Sequence, residues 1–200
     1  MMRPAIGALA GRSLRFIKGY FMFTIDQTVL LVIDVQGKLA HLVHEKEILF
    51  KNLQAMIKGA QILQIPILWT EQVPAKIGNT IPEIAQLLKD QQPIEKVSFS
   101  CVPNKRFMEI LTALNRKQIL IAGIETHVCI YQTASDLFKE GYQVKVARDA
   151  VSSRSLENKQ IAFDAMQQRG VQLTSVEMIL CELLKTSEDA RFKEILKLIK

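Results

Sequence analysis

Residues 118–129 read QILIAGIETHVC, and the fold can be worked out from them. Gln118–Ala122 is a short apolar run rich in β-branched side chains, which predicts a buried strand. Beyond Cys129, apolar residues recur at helical spacing as far as Gly141. The stretch therefore predicts a strand, a tight turn and a helix, with Cys129 in the first helical turn.

The same alternation of strand and helix runs through most of the chain. The predicted strands are 28–34, 66–70, 93–96, 118–122, 142–147 and 171–174. The longer helices are expected at about 45–64, 103–114, 130–140, 155–170, 176–185 and 188–199. No repeat, low-complexity tract or long linker divides the chain. The pattern predicts a single-domain α/β fold of three layers, with a mostly parallel sheet between helices on both faces.

The charge of the chain is concentrated at its amino end. The net charge is +6, and Arg3, Arg12, Arg15 and Lys18 all precede the first acidic residue, Asp26. The remaining 22 basic and 20 acidic residues leave the body nearly neutral, without a basic stripe interleaved with aromatic residues. This pattern does not predict a nucleic-acid partner.

Residues 1–24 are treated as an N-terminal extension, and the folded domain is predicted to span residues 25–200. A start site upstream of the true one, with Met22 opening the folded protein, explains the extension. A mitochondrial presequence or a weak signal peptide is the alternative, because the extension is basic and free of acidic residues. No apolar run reaches the roughly 18 residues that a membrane-spanning helix needs, so no membrane association is predicted.

The cysteine content predicts a reducing compartment. The three cysteines, Cys101, Cys129 and Cys181, form no disulfide framework. We therefore expect free thiols and a cytoplasmic location, or a mitochondrial one if the extension is a presequence. Cys101 and Cys181 are interpreted as structural, Cys181 because it lies among apolar residues of a predicted helix.

Three chemically complementary side chains follow three of the predicted strands. Asp34 ends the first strand, Lys96 ends the third, and Cys129 follows the fourth. In a parallel sheet these strand ends share one edge, where ligands bind. A thiol, a carboxylate and an ammonium are the components of nucleophilic catalysis, with Lys96 and the helix N-terminus expected to stabilise a thiolate. Taken singly, each side chain has a plainer explanation: a cap, a solvated lysine or a buried apolar thiol.

Four segments carry a family resemblance: LVIDVQ at 31–36, EKVSFS at 95–100, GIETHVC at 123–129 and DAVSSR at 149–154. In this order and spacing they resemble the isochorismatase-like cysteine hydrolase superfamily, in its metal-free, isochorismatase-domain-containing branch. The resemblance spans about residues 26–185. It implies a six-stranded sheet in the order 3-2-1-4-5-6, a catalytic triad, a small-molecule substrate and a homo-oligomer that is a dimer or larger.

The resemblance also implies finer features of the site. The triad falls on Asp34, Lys96 and Cys129. A non-proline cis peptide falls on Ile124–Glu125, and the backbone N–H groups of Glu125 and Cys129 form an oxyanion hole. Gln36, Phe99 and His127 are predicted to line the substrate pocket. No cofactor is implied.

Two histidines, His41 and His44, follow the first strand, where metal-using relatives carry metal ligands. We interpret them as surface residues because no third ligand stands beside them. The predicted function is hydrolysis of a small amide, ureide or related C–N bond through a thioester on Cys129. A catalytically silent, thiol-bearing binding or redox-responsive protein is the alternative. A nucleotide-binding oxidoreductase is disfavoured because only Gly37 follows the first strand, where a glycine-rich turn is needed.

Overall fold

The computed structural model describes residues 21–200 and is organised around one sheet. Its strands are β1 Thr28–Ile33, β2 Ile67–Gln72, β3 Ile94–Lys96, β4 Gln118–Ile124, β5 Gln143–Ser152 and β6 Gln172–Thr174. All neighbouring strands pair in parallel, in the order β3-β2-β1-β4-β5-β6. This confirms the predicted strand order.

Helices cover both faces of this sheet. They are α1 Gly37–Ala40, α2 Lys46–Ile62, α3 Pro74–Ile77, α4 Pro82–Ala85, α5 Lys105–Ala113, α6 Tyr131–Lys139, α7 Leu156–Gln168, α8 Val176–Leu184 and α9 Phe192–Ile199. A π-helical turn, Thr126–Ile130, joins β4 to α6. Among residues 21–200, no helix is both long and apolar enough to span a bilayer.

The central strand β1 is buried on both sides, as its continuous apolar run predicts. Leu30 and Val32 pack into one core with residues of α2, α8 and α9. Val29, Leu31 and Ile33 point the other way and pack with residues of α5, α6 and α7. Because successive side chains of a strand point to opposite faces, one strand serves both cores. The three predicted layers are confirmed.

Gly123 allows β4 to lie close against β1 at Ile33, where β1 ends. Its φ is +124°, and a Cβ built there would lie 2.1 Å from the carbonyl oxygen of Ile33. Only glycine tolerates both the backbone conformation and this close approach. The pairing of β4 with β5 also shifts register between Ile121 and Gly123. The chain therefore leaves β4 directly beside the end of β1.

Strand β5 extends beyond its predicted end at Ala147. The prediction stopped there because Arg148 and Asp149 interrupt the apolar run. In the structure the strand continues past these polar residues, and Val151 and Ser152 pair with β4 again. The continuation carries residues 152–154 towards the turn that follows β4.

Two helices begin later than predicted, for local reasons. α5 begins at Lys105 rather than Pro103, since the Asn104 side chain accepts a hydrogen bond from the Phe107 N–H and so caps the helix. α9 begins at Phe192 rather than 188. Ahead of it, the Asp189 carboxylate accepts hydrogen bonds from the backbone N–H and the guanidinium of Arg191.

The residues just before the boundary predicted after residue 24 contact the rest of the domain. Phe23 is fully buried, and its N–H donates to a carboxylate oxygen of Glu182. The Thr24 N–H donates to the Gln118 side chain at 2.7 Å. Residues 21–24 therefore belong to the folded domain. The rest of the predicted extension, residues 1–20, lies outside the described residues.

Candidate active site

Asp34 stands immediately after β1, in a left-handed backbone conformation with φ +51°. The residue is buried, and both carboxylate oxygens have partners. Oδ1 accepts a hydrogen bond from Thr70 Oγ1 at 2.7 Å, and Oδ2 accepts one from Lys96 Nζ at 2.6 Å. These two bonds fix the orientation of the carboxylate.

The Lys96 ammonium is completely enclosed by acceptors. Besides Asp34, Nζ donates to Gln72 Oε1 at 2.7 Å and to the carbonyl oxygens of Ser98 and Phe99 at 3.2 and 3.1 Å. A buried ion pair is stable only when such additional bonds satisfy its remaining donors. Lys96 is therefore held as a fixed cation whose closest charged partner is Asp34.

Cys129 lies in the π-helical turn and not in the regular helical turn that was predicted. The N–H groups of Val128 and Ile130 both donate to the Glu125 carbonyl oxygen, at 3.1 and 3.2 Å. The Cys129 residue is only 7% exposed. Short π-helical segments are rare in proteins, and many of those that are known lie at functional sites. The apolar periodicity did not reveal this local departure.

The environment of Cys129 raises the pKa of its thiol. Burial is the largest cause, and the Asp34 carboxylate adds to it through its negative charge and through a side-chain hydrogen bond. Lys96 acts in the opposite direction, with a smaller effect than Asp34. The structure therefore brings the three predicted residues into one site. Lys96 lowers the pKa of the Cys129 thiol less than burial and the Asp34 charge raise it, so this environment does not favour the resting thiolate that was expected.

The two other cysteines have different settings. Cys101 is fully buried close to the same site, and its N–H donates to Thr133 Oγ1 at 3.1 Å, one turn beyond Cys129. Burial raises the pKa of the Cys101 thiol to about 11. Cys181, by contrast, is exposed, and its predicted place in the core is wrong. It lies on the outer face of α8, whose opposite face is buried.

Gln36 does not line the substrate pocket as predicted. It is fully buried, and its Nε2 donates to the carbonyl oxygens of Gly78 and Gln72 at 2.6 and 3.2 Å. Its Oε1 accepts a hydrogen bond from the Gln72 N–H at 2.6 Å. Because the whole amide is bonded to backbone, Gln36 positions the segment that presents Gln72 to Lys96.

Thr70 and Gln72 also belong to the site, but the sequence analysis missed them because it did not search the end of the second strand. They lie on β2 beyond the four apolar positions that defined the predicted strand. Applying the strand-end rule to β2 as well would have included Thr70, the last residue of that prediction. Gln72 is also tied to the loop after β3, since its Nε2 donates to the Val97 carbonyl oxygen at 2.7 Å.

The turn that carries Cys129 is braced by the loop that follows β5. The peptide bond between Ile124 and Glu125 is cis. The buried Glu125 carboxylate accepts bonds from both the N–H and the Nε of Arg154, each at 3.0 Å. His127 Nδ1 lies 3.0 Å from Ser153 Oγ. The Arg154 partner was not predicted, because the sequence of residues 149–154 shows a family-like segment without showing what it contacts.

Phe99, the third predicted pocket residue, is about half exposed. Its carbonyl oxygen accepts a hydrogen bond from Lys96.

The two histidines after β1 are not part of a metal-binding cluster of described residues. His41 packs edge-on against Phe50, and His44 lies 3.6 Å from Glu45. In residues 21–200, no group of three or more histidine, cysteine or acidic side chains is placed to hold a metal ion.

Comparison with known proteins identifies the family. Residues 28–178 match the family model of the isochorismatase domain. Isochorismatase domain-containing protein 2B of Mus musculus is 39% identical over 176 residues, which cover 88% of this chain and 82% of the relative. The chain belongs to the isochorismatase family. This result confirms the resemblance found in the sequence.

Solved structures agree with the family assignment. The structure of MAR1 ribonuclease from Caenorhabditis elegans is 34% identical and superposes with a TM-score of 0.84, covering 90% of this isochorismatase-family chain and 92% of its own. The Escherichia coli YcaC gene product is 25% identical with a TM-score of 0.85, covering 90% of each chain. YcaC is described as an octameric hydrolase of unknown specificity. These relatives support a hydrolase on this fold.

Proposed function

We propose that the chain is a cysteine-dependent hydrolase that cleaves a small amide, ureide or related C–N bond through a covalent thioester. One observation carries this proposal. A carboxylate fixed 2.6 Å from a buried ammonium stands beside a buried thiol whose pKa it raises. Such a thiol becomes nucleophilic only when a base removes its proton, and Asp34 is the base within reach.

The first half of the reaction forms the thioester. As the Cys129 sulfur attacks the substrate carbonyl carbon, the thiol proton passes to the Asp34 carboxylate and the carbonyl oxygen becomes an oxyanion. The C–N bond then breaks, and Asp34 returns the proton to the leaving nitrogen. Lys96 keeps its hydrogen bond to Asp34 throughout and so orients the carboxylate that accepts and releases the proton.

The second half regenerates the enzyme with water. Asp34 takes a proton from a water molecule, whose oxygen attacks the thioester carbon. When the C–S bond breaks, the carboxylic acid product leaves and Asp34 returns the proton to sulfur. Every step uses side chains and water, so the proposal invokes no cofactor.

The backbone N–H groups of Glu125 and Cys129 are proposed to stabilise the oxyanion. Donors aimed at the developing charge contribute about 3 kcal/mol each in well-studied hydrolases. The bonds from Arg154 to the Glu125 side chain support this assignment, because they hold the donor-bearing turn in place. Phe99 and His127 are proposed as pocket walls, since both are partly exposed beside the site.

We also propose that the chain self-associates into a homo-oligomer. The support is the octameric state described for the Escherichia coli relative. The substrate is proposed to be a small molecule. RNA is a second candidate because the Caenorhabditis elegans relative is named a ribonuclease. The near-neutral body of the chain favours the small molecule.

A substrate panel with matched cysteine variants tests the proposed reaction. Amides, ureides and an RNA oligonucleotide are incubated with wild type, Cys129→Ala and Cys181→Ala. We expect turnover of at least one small amide or ureide that is lost in Cys129→Ala and retained in Cys181→Ala, whose thiol is exposed. Turnover that survives in Cys129→Ala contradicts the proposal. If nothing turns over and Cys129 oxidises reversibly, the silent thiol-bearing protein is supported instead.

A further inference from the structure

A concave surface separate from the proposed active site lies at the carboxyl ends of β5 and β6, on the same edge of the sheet. It encloses a cavity of about 470 Å³ lined by residues of β5, β6 and the first turns of α2, α7 and α8. None of Asp34, Lys96 and Cys129 lines it. We call it the β5–β6 surface, and the proposed reaction gives it no role.

Large apolar side chains stand around this cavity and face solvent. Ile48, Leu156 and Met178 are 54%, 46% and 55% exposed, and all three line the β5–β6 surface. They belong to three different helices, so the chain presents them together only through its fold. Exposed apolar residues gathered around a concavity mark a binding surface more often than scattered ones do.

The charged residues of the β5–β6 surface are balanced in sign. Glu45 and Asp149 stand beside Arg148 and Lys159. Burial is the largest cause both of the raised pKa of Asp149 and of the lowered pKa of Lys159. Asp149 and Lys159 are therefore partly desolvated, whereas Glu45 and Arg148 are exposed. Nucleic acids and anionic membranes bind patches of positive charge. The mixed charges of this surface do not favour either partner.

We propose that the β5–β6 surface binds a second copy of this chain in a two-fold contact. A two-fold interface places the same patch on both subunits, so the patch must complement itself. An apolar centre with equal numbers of acidic and basic groups meets that requirement, because each cation can face a carboxylate of the other copy. Met178 is well suited to the contact, since its flexible side chain adapts to an irregular concavity. The inference rests on the proposed self-association and is independent of the proposed reaction.

Light scattering after size-exclusion chromatography tests the proposal, with Ile48→Arg/Met178→Arg as the disrupting variant. Ile161→Arg is the matched control, because Ile161 is 57% exposed on α7 but does not line the cavity. We expect the wild type and the control to have at least twice the chain mass. The double variant should dissociate at least about a hundredfold more readily, since two charges enter the apolar centre of the contact.

Hydrogen exchange at high and low protein concentration tests the same surface without substitution. The first turns of α2, α7 and α8 should be protected only at high concentration. A monomeric wild type overturns both the self-association and this surface. An oligomeric double variant with unprotected first turns overturns the surface alone. Turnover measured on the same samples reports separately on the proposed hydrolase. A cavity that binds a small molecule while the protein stays monomeric also contradicts the proposal.

Discussion

Replacing Asp34 by asparagine should make the Cys129 thiol easier to alkylate and, under the proposed mechanism, should abolish turnover. The Asp34 charge raises the pKa of Cys129, and Lys96 lowers it. Asparagine keeps the size of the side chain and removes the negative charge, which leaves Lys96 as the charged group of the triad beside the sulfur. The variant therefore loses the proposed general base and gains thiolate at the same time.

The size of the effect follows from the charge that is removed. Two unit charges about 5 Å apart interact by about 3 kcal/mol at the effective dielectric constant of about 20 that suits protein sites. That energy corresponds to about a hundredfold more thiolate at neutral pH. Burial is the largest cause of the raised pKa and stays in place, so most of the Cys129 thiol should remain protonated in the variant.

Iodoacetamide labelling followed by mass spectrometry measures this directly. Trypsin places each thiol on its own peptide, with Cys129 on residues 118–139, and the exposed Cys181 serves as the internal reference. The Cys129 peptide should label about tenfold faster in Asp34→Asn than in wild type, because the fall in pKa that adds thiolate also makes each thiolate a weaker nucleophile. In Lys96→Met it should label more slowly.

The folded state must be verified before the labelling rates are compared. Leaving one member of a buried ion pair alone costs about 3 to 5 kcal/mol, so the assay is run cold, with circular dichroism as a check. Unchanged or slower labelling in folded Asp34→Asn refutes the argument. Faster labelling in folded Lys96→Met refutes it as well.

Three further predictions concern the surroundings of the site. Gln72→Ala should lower kcat/KM by about tenfold to a hundredfold, because a hydrogen bond to a charged group contributes about 1.5 to 3 kcal/mol, with circular dichroism checking the fold. In wild type the free energy of unfolding should fall as pH rises from 9 to 11, since the pKa of Cys101 is about 11 in the fold against an ordinary value of 9.0. Cys101→Ala should remove about 2 to 3 kcal/mol of that fall in urea titrations, whereas Cys181→Ala should retain it. Gly123→Ala should cost at least about 3 kcal/mol because a Cβ would meet backbone, whereas Gly141→Ala, at φ +86° with open space around it, should cost about 1 kcal/mol.

The sheet and the three central residues could be predicted because each depends on a strong local signal. A continuous apolar run such as 28–33 is typical of a strand buried on both faces, and its end can be located to within a residue. The rule that parallel strand ends share one edge then brings Asp34, Lys96 and Cys129 together.

The remaining features depend on distant contacts that no local pattern records. Gln36 was predicted to line the pocket, but it is buried and its side chain donates to the Gly78 carbonyl oxygen. The π-helical turn at Cys129 preserves the apolar spacing of the helix beyond it, so periodicity could not distinguish it. The raised pKa of the Cys129 thiol follows from burial and from the Asp34 charge, which sequence order alone does not reveal.

Trapping the covalent intermediate tests the central claim most directly. Protein mixed with a substrate identified in the panel is quenched in acid within a single turnover, and the tryptic peptide 118–139 is weighed by mass spectrometry. We predict a transient increase equal to the acyl part of the substrate on Cys129, appearing before the free acid and decaying as the acid forms. Complete hydrolysis with an unmodified Cys129 peptide at every time point would contradict the account.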